Sequence, residues 1–294
     1  MSNTLLLVVM GALGAIVGSF LNVVIYRLPR PGLTITRPRR SFCPNCGAAI
    51  RWHDNIPIVS YFILGGRCRS CRQPLALRYL VVEAATAALF LLLVVAHPPA
   101  ESEALGGGSA ARLGLLLVYL WVLSAAVAIT GIDWDFKIIP DQITLPLAVG
   151  LPFACALLPA SQGSACGWVF RQLLDAGLHP SLAAYTSSVG GELVGIFFLW
   201  GLVVLFSWIL RKQAMGLGDV KYLGVIGGLC GPERALAAFG VACVVGAVVG
   251  VPVRLLRGDR EIPFGPFLSV GLTLMILAGE PVVDFMLHWP ERVA

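Results

Sequence analysis

Charge is what this sequence has least of. Charged residues occupy 13% of 294 positions and hydrophobic residues 57%, and the mean hydropathy is +0.85. A soluble domain is about a quarter charged, so that class is excluded and an all-α polytopic membrane protein is expected. Basic residues are also missing where a secretory signal needs them, because only Met1-Ser2-Asn3-Thr4 precede the first apolar run. That run is expected to be a retained helix. No Rossmann-type glycine pattern follows a strand, and no internal repeat stands out. The net charge of +5 predicts no nucleic-acid partner, because its meaning lies in where the arginines fall.

The apolar run Leu5 to Tyr26 is long enough to cross a bilayer, and Gly11, Gly14 and Gly18 give it a small face for packing. Further spans are expected at about 79–96, 113–132, 142–157, 188–210, 219–231, 233–256 and 264–279, making about eight. Ten arginines lie in 27–78, and with Lys137, Arg211, Lys212, Lys221, Arg254, Arg257 and Arg260 they place 17 of the 21 Lys and Arg on one side. Arg112, Arg171, Arg234 and Arg292 take the other. The positive-inside bias makes the first side cytoplasmic and puts both termini outside. Of the outside loops, 97–112 is a glycine-rich connector and 158–187 is expected to hold a short amphipathic helix around Trp168 to Leu174. Cys155 falls within a span, which disfavours pairing with Cys166; Cys230 and Cys243 are expected to be small buried apolar residues.

The polar insertion 27–78 holds Cys43-Pro44-Asn45-Cys46 and Cys68-Arg69-Ser70-Cys71 with 21 residues between the pairs. Two CxxC pairs at this spacing read as a small zinc-ribbon-like loop, each pair offering two thiolates from one knuckle. Two disulfides are the competing arrangement; the cytoplasmic side, where thiols stay reduced, favours zinc. Four thiolates fill a tetrahedron, so Cys43, Cys46, Cys68 and Cys71 would hold a structural metal.

Two aspartates sit at the edges of apolar segments. Asp219 lies in Met215-Gly216-Leu217-Gly218-Asp219-Val220-Lys221, and Asp133 ends the third apolar run before Trp134-Asp135. Intramembrane carboxylates are costly and mark function by default, although either could simply cap a helix. The arginine topology puts both at the cytoplasmic membrane face. Two close carboxylates share a proton, and the ionised one can activate water while the protonated one polarises a carbonyl. Asp135 and Asp141 are rival partners.

These pieces resemble the type IV prepilin peptidase family. Ser19-Phe20-Leu21-Asn22 through Arg27-Leu28-Pro29, the cysteine loop with Asn55-Ile56-Pro57 and Gly66-Arg67-Cys68, Ile132-Asp133 with Pro140-Asp141, and Gly216-Leu217-Gly218-Asp219 follow the family's order. Tyr79-Leu80 departs where the family has proline, and the stretch between Asp133 and Asp219 is long. The resemblance implies a bacterial inner-membrane aspartic peptidase, with Asp133 and Asp219 catalytic and its active site facing the cytoplasm. Its substrates would be prepilins and pseudopilins of pili or type II secretion, cut after a glycine. Members with the cysteine loop also N-methylate the new terminus from S-adenosylmethionine. Gly66 and Arg67 are the expected donor-site residues, and Asp54, Asp135, Asp141 and Glu261 are expected to attract the substrate's basic leader. The implied organisation is a first membrane helix at 1–26, the cysteine-rich domain at 27–78, helices two and three at 79–132 and a peptidase core at 133–294. Besides substrate, only lipid is expected as a partner, and no oligomeric state is set. A GxGD protease of other substrates without methyl transfer, or a transporter with a zinc-ribbon docking loop, are the alternatives; acids gathered at one face disfavour the transporter.

Overall fold

Apolar runs of this length must satisfy their backbone internally, and the chain does so with helices. A computed structural model describes residues 3–38, 40–97, 109–159, 168–212, 215–257 and 262–293. The helices are α1 (Asn3–Arg27), a 3-10 turn (Trp52–Asn55), α2 (Val59–Ile63), α3 (Arg78–Ala96), α4 (Ser109–Phe136), α5 (Asp141–Leu157), α6 (Trp168–Asp175), α7 (Pro180–Leu210), α8 (Leu217–Cys230), α9 (Pro232–Arg257) and α10 (Gly265–Val293). Among the described residues there are isolated bridges but no strand. Each of the eight expected apolar segments is helical, yet only five helices are long and apolar enough to cross a membrane: Thr4–Arg27, Arg78–Ala96, Ala110–Phe136, Pro180–Leu210 and Pro232–Val253. Asp141–Leu157 and Gly265–Gly279 are shorter apolar helices, the latter ending beside a non-helical Ala278 (φ −149°, ψ 38°).

The chain divides into two compact units. The first comprises Met1–Pro98 and Leu123–Ile132, and the second Pro99–Val122 and Asp133–Ala294. In the first unit the glycine face of α1 lies against α3 backbone to backbone. A Cβ at Gly14 would meet Ala87 Cα at 2.7 Å, and one at Gly18 would meet Glu83 Cα at 2.7 Å. Arg27, 4% exposed, is more than a topology charge. Its guanidinium donates to the carbonyls of Ile35 (3.0 Å), Pro38 (2.7 Å) and Arg40 (3.1 Å), tying the start of the cysteine loop to the end of α1.

In the second unit α8 is the central element. Fourteen residues rise about 21 Å at 1.5 Å each, short of the ~30 Å hydrocarbon core. It does not need that length, because α5, α7, α9 and α10 pack around it and Val220 and every residue from Tyr222 to Cys230 are buried. Close approach to α7 rests on small residues: Gly191 faces Gly227 backbone to backbone, and a Cβ at Gly195 would lie 2.5 Å from Leu223 O. Outward, α7 exposes Phe197, Trp200, Phe206 and Trp208, surface that suits lipid and not water. The expected short helix is α6, whose Phe170, with Leu173 and Leu174, packs against Cys155, Ala183 and Ala184. Cys155 and Cys230 are buried free thiols, and Cys166 lies outside the described residues. Cys243 is exposed, correcting the expectation of burial: it shares the outward side of α9 with Val244 and Val248.

A side chain at position 227 has nowhere to go. Gly227→Val should lower the thermal midpoint of the detergent-solubilised protein by several degrees, the effect of about 1–3 kcal/mol of overpacking. An unchanged midpoint would show that α7 and α8 do not approach this closely.

Candidate active site and metal centre

The last turn of α4 is closed by the Lys137 N–H, which donates to Asp133 O at 2.9 Å, with Lys137 left-handed (φ 56°). The chain then passes through Ile138 and Ile139 to Pro140, which begins α5. Ile139 acts as a wedge. A Cβ on Gly218 would meet Ile139 Cβ at 2.9 Å, and one on Gly265 would meet both Asp133 Oδ2 (2.7 Å) and Ile139 Cδ1 (3.3 Å). The end of α4 and the starts of α8 and α10 therefore converge on one side chain. Asp133 is 5% exposed and its Oδ2 accepts the Gly265 N–H at 2.9 Å. Asp219 stands in the first turn of α8, accepts a backbone hydrogen bond from Gly216, and lies close enough to Asp133 for their charges to interact. Its Oδ1 is buried without a hydrogen-bond partner. Two carboxylates of this kind, one with an orphaned oxygen, can share a proton and hold a water.

The rivals are placed differently. Asp141 is exposed and ion-paired with Lys221 at 2.7 Å, and Asp135 is exposed. Gly265 was not singled out in the sequence. Ile262-Pro263-Phe264-Gly265-Pro266 was its signal, a proline-flanked glycine opening an apolar run.

Both cysteine knuckles are the same backbone loop. Cys43 N–H donates to Ala48 O (2.9 Å) and Gly47 N–H to Cys43 O (2.9 Å); Cys68 N–H donates to Gln73 O (2.9 Å) and Arg72 N–H to Cys68 O (3.0 Å). The loop needs a left-handed residue, supplied by Gly47 (φ 71°) and by Arg72 (φ 58°). The four sulfurs lie within 4.8 Å of one another, and Cys43 Sγ is 3.9 Å from Cys71 Sγ. A tetrahedron of ~2.3 Å metal–sulfur bonds has edges of about 3.8 Å, so the residues fit a metal ion; all four are free thiols. The Cys71 and Ser70 N–H groups draw the Cys68 thiol down to about 7. Cys71, despite the Gln73 N–H, is held up at about 11 by burial and the neighbouring sulfurs. Arg69, between the ligands, clamps Asp54 through Nε (2.8 Å) and Nη2 (2.6 Å), and this hydrogen bonding holds the Asp54 carboxyl below its ordinary range.

The two expected donor-site residues have backbone roles here. Gly66 is left-handed (φ 64°), donates to Tyr61 O (2.8 Å) and accepts from Leu75 N–H (2.7 Å). Arg67 forms an isolated bridge with Pro74.

The fold and site define a multi-pass helical membrane protein with paired carboxylates and a tetracysteine loop. Residues 12–97 match the bacterial peptidase A24 N-terminal domain, and residues 116–251 match the type IV leader peptidase family. Relatives named prepilin leader peptidase/N-methyltransferase include one from Aeromonas hydrophila, 33% identical over 92% of this chain and 90% of its own. Others are from Burkholderia pseudomallei (32%; 92% and 84%) and Pseudomonas aeruginosa (32%; 94% and 92%). No solved structure matches. The chain belongs to the type IV leader peptidase family and is an enzyme of the peptidase class.

Two outcomes are expected. Purified protein should carry one zinc per chain by elemental analysis, and Cys43→Ser should remove most of it; full zinc in the variant would exclude the sulfur site. Gly265→Ala should cut proteolytic turnover at least tenfold, because its methyl displaces the Asp133 carboxylate; turnover within twofold of the parent would remove Gly265 from the site.

Proposed function

We propose that this chain removes the short basic leader from type IV prepilins and pseudopilins and then methylates the exposed α-amine. The observation that carries the peptidase half is the meeting of Gly218 and Gly265 on Ile139, with Asp133 bonded to Gly265 and near enough to Asp219 for their charges to interact. In this reading the active site faces the cytoplasm at the inner membrane, all eight apolar helices lie at membrane depth, and the scissile bond follows a glycine at the interface. The Asp133–Asp219 pair shares one proton. Its ionised member takes a proton from water as the water oxygen attacks the carbonyl carbon. Its protonated member donates to the carbonyl oxygen and stabilises the tetrahedral species. Collapse breaks the C–N bond, and the nitrogen leaves as the new N-terminal amine after taking a proton from the pair. The Gly265 N–H keeps Asp133 from rotating away, and the glycines before Asp219 leave room for an extended substrate backbone.

Cys43, Cys46, Cys68 and Cys71 would hold a structural zinc; with four protein ligands it has no open position for chemistry. S-adenosylmethionine, where bound, would supply an electrophilic methyl for the new N-terminal amine. The relatives' printed names support this second activity.

Asp133→Asn and Asp219→Asn should each lower the cleavage of a purified prepilin by about 10³-fold or more, and the double variant should be no worse than either alone, because the pair acts as a unit. A pre-cleaved pilin peptide should still be methylated by both. Cleavage at the parent rate in either single variant would refute the assignment.

A further inference from the structure

The first unit contains a cleft whose lining includes neither Asp133 nor Asp219. It lies between the second half of α1, the start of α3 and the cysteine loop, a cavity of about 120 Å³ that opens to the surface. Its lining mixes the aromatic rings of Tyr26, Phe42, Tyr61 and Tyr79 with polar side chains; Arg27 is engaged by loop carbonyls and Asp54 by Arg69, and two others matter here. Asn22, 5% exposed, donates through Nδ2 to Tyr79 O at 3.0 Å, while its Oδ1 is buried with no partner. A buried acceptor left unpaired is costly, and it is relieved by a ligand that carries N–H donors. Glu83 is the other. Its Oε2 accepts the N–H of Ile58 at 2.7 Å, which fixes a left-handed turn (Ile58 φ 64°) and sets a carboxylate in the cleft wall.

We propose that this cleft is the methyl-donor site, holding S-adenosylmethionine with Asn22 Oδ1 and Glu83 as its polar anchors. The proposal rests on the methyltransferase reading above. The donor's chemistry answers each feature. Its adenine and amino-acid ends carry N–H donors for an orphaned acceptor. Its ammonium and sulfonium charges complement a carboxylate. Its sulfonium and its flat base both favour aromatic faces. A substrate phenylalanine side chain would fill the apolar space and leave Asn22 Oδ1 unpaired. Gly66, named from the sequence, stays outside the lining and acts through it: a Cβ there would press on the Tyr61 ring at 3.0 Å, so Gly66 positions Tyr61 against the cleft.

Equilibrium binding of S-adenosylmethionine to the full chain in detergent, read by calorimetry, tests this. Asn22→Leu removes the orphaned acceptor, and Glu83→Gln keeps an oxygen for Ile58 while removing the charge. Each should raise the donor Kd at least tenfold, and Gly66→Ala should raise it severalfold. Thermal midpoint and zinc content report whether each variant has folded, and Trp52→Ala, on an exposed side chain outside the lining, should bind like the parent. Folded Asn22→Leu and Glu83→Gln proteins that bind the donor with the parent's Kd would overturn the assignment. A parent chain that takes up no S-adenosylmethionine would overturn the methyltransferase reading itself, and this proposal with it.

Discussion

A buried carboxylate beside an apolar helix end has to be held, because rotation toward water is always open to it. The hydrogen bond from Gly265 N–H to Asp133 is what holds it here, and the rest of the second unit is arranged so that this bond can form. A Cβ on residue 265 would lie 2.7 Å from Asp133 Oδ2, so the residue bringing this N–H is glycine. The start of α10 must meet the end of α4, so Ile139 is wedged between it and Gly218. And α8 must deliver Asp219 to the same spot, so it is short, fully packed and pressed onto α7 through glycines. A full-length lipid-facing α8 would have no reason to be buried on all sides.

The helices were legible because an apolar run in this composition has few options. Most boundaries fell within a few residues, but α7 begins at Pro180, before the expected 188, and α10 runs on to Val293, past the expected 279; the helix at 168–175 was legible from its amphipathic pattern. Asp133 and Asp219 were legible for the same reason, as charges where charges are costly. Gly265 was not, because its role is a backbone contact 132 positions away along the chain, and glycine chemistry leaves no trace in hydropathy. The count of eight spans goes beyond the five helices long and apolar enough to cross, with α5, α8 and the first part of α10 shorter, because apolarity reports burial, and burial by protein looks the same as burial by lipid. Cys243 shows the converse, a small apolar residue on an outward helix surface instead of in a core.

In the first unit a few polar groups organise backbone. Arg27 gathers the carbonyls of the loop behind α1, and Glu83 pins the turn at Ile58. Counted as a charge, Arg27 spoke only to topology. Seen with their partners, Arg27 and Glu83 explain why a loop this polar keeps a defined form beside the membrane. The two knuckles then repeat one hydrogen-bonding scheme from unlike sequences, with glycine in one and a left-handed arginine in the other. Such strain persists where the surroundings over-determine it, and Arg69 clamped on Asp54 beside the second knuckle supplies part of that determination.

The same clamp bears on how a basic leader is recognised. Of the acids that sequence alone offers for it, Asp54 is neutralised by Arg69 and Asp141 by Lys221. A leader lysine would have to displace a cation already on the chain, and exposed exchanges of that kind return little net free energy. Charge attraction at these two residues is therefore a weak basis for choosing substrates. Depth is a stronger one. A helix with apolar residues up to a glycine and basic residues beyond it comes to rest with that glycine at the interface, because each side follows its own solvent. In the proposed reaction, Asp133 and Asp219 at the ends of apolar helices would meet the scissile bond at that depth, where the glycine would let it unwind.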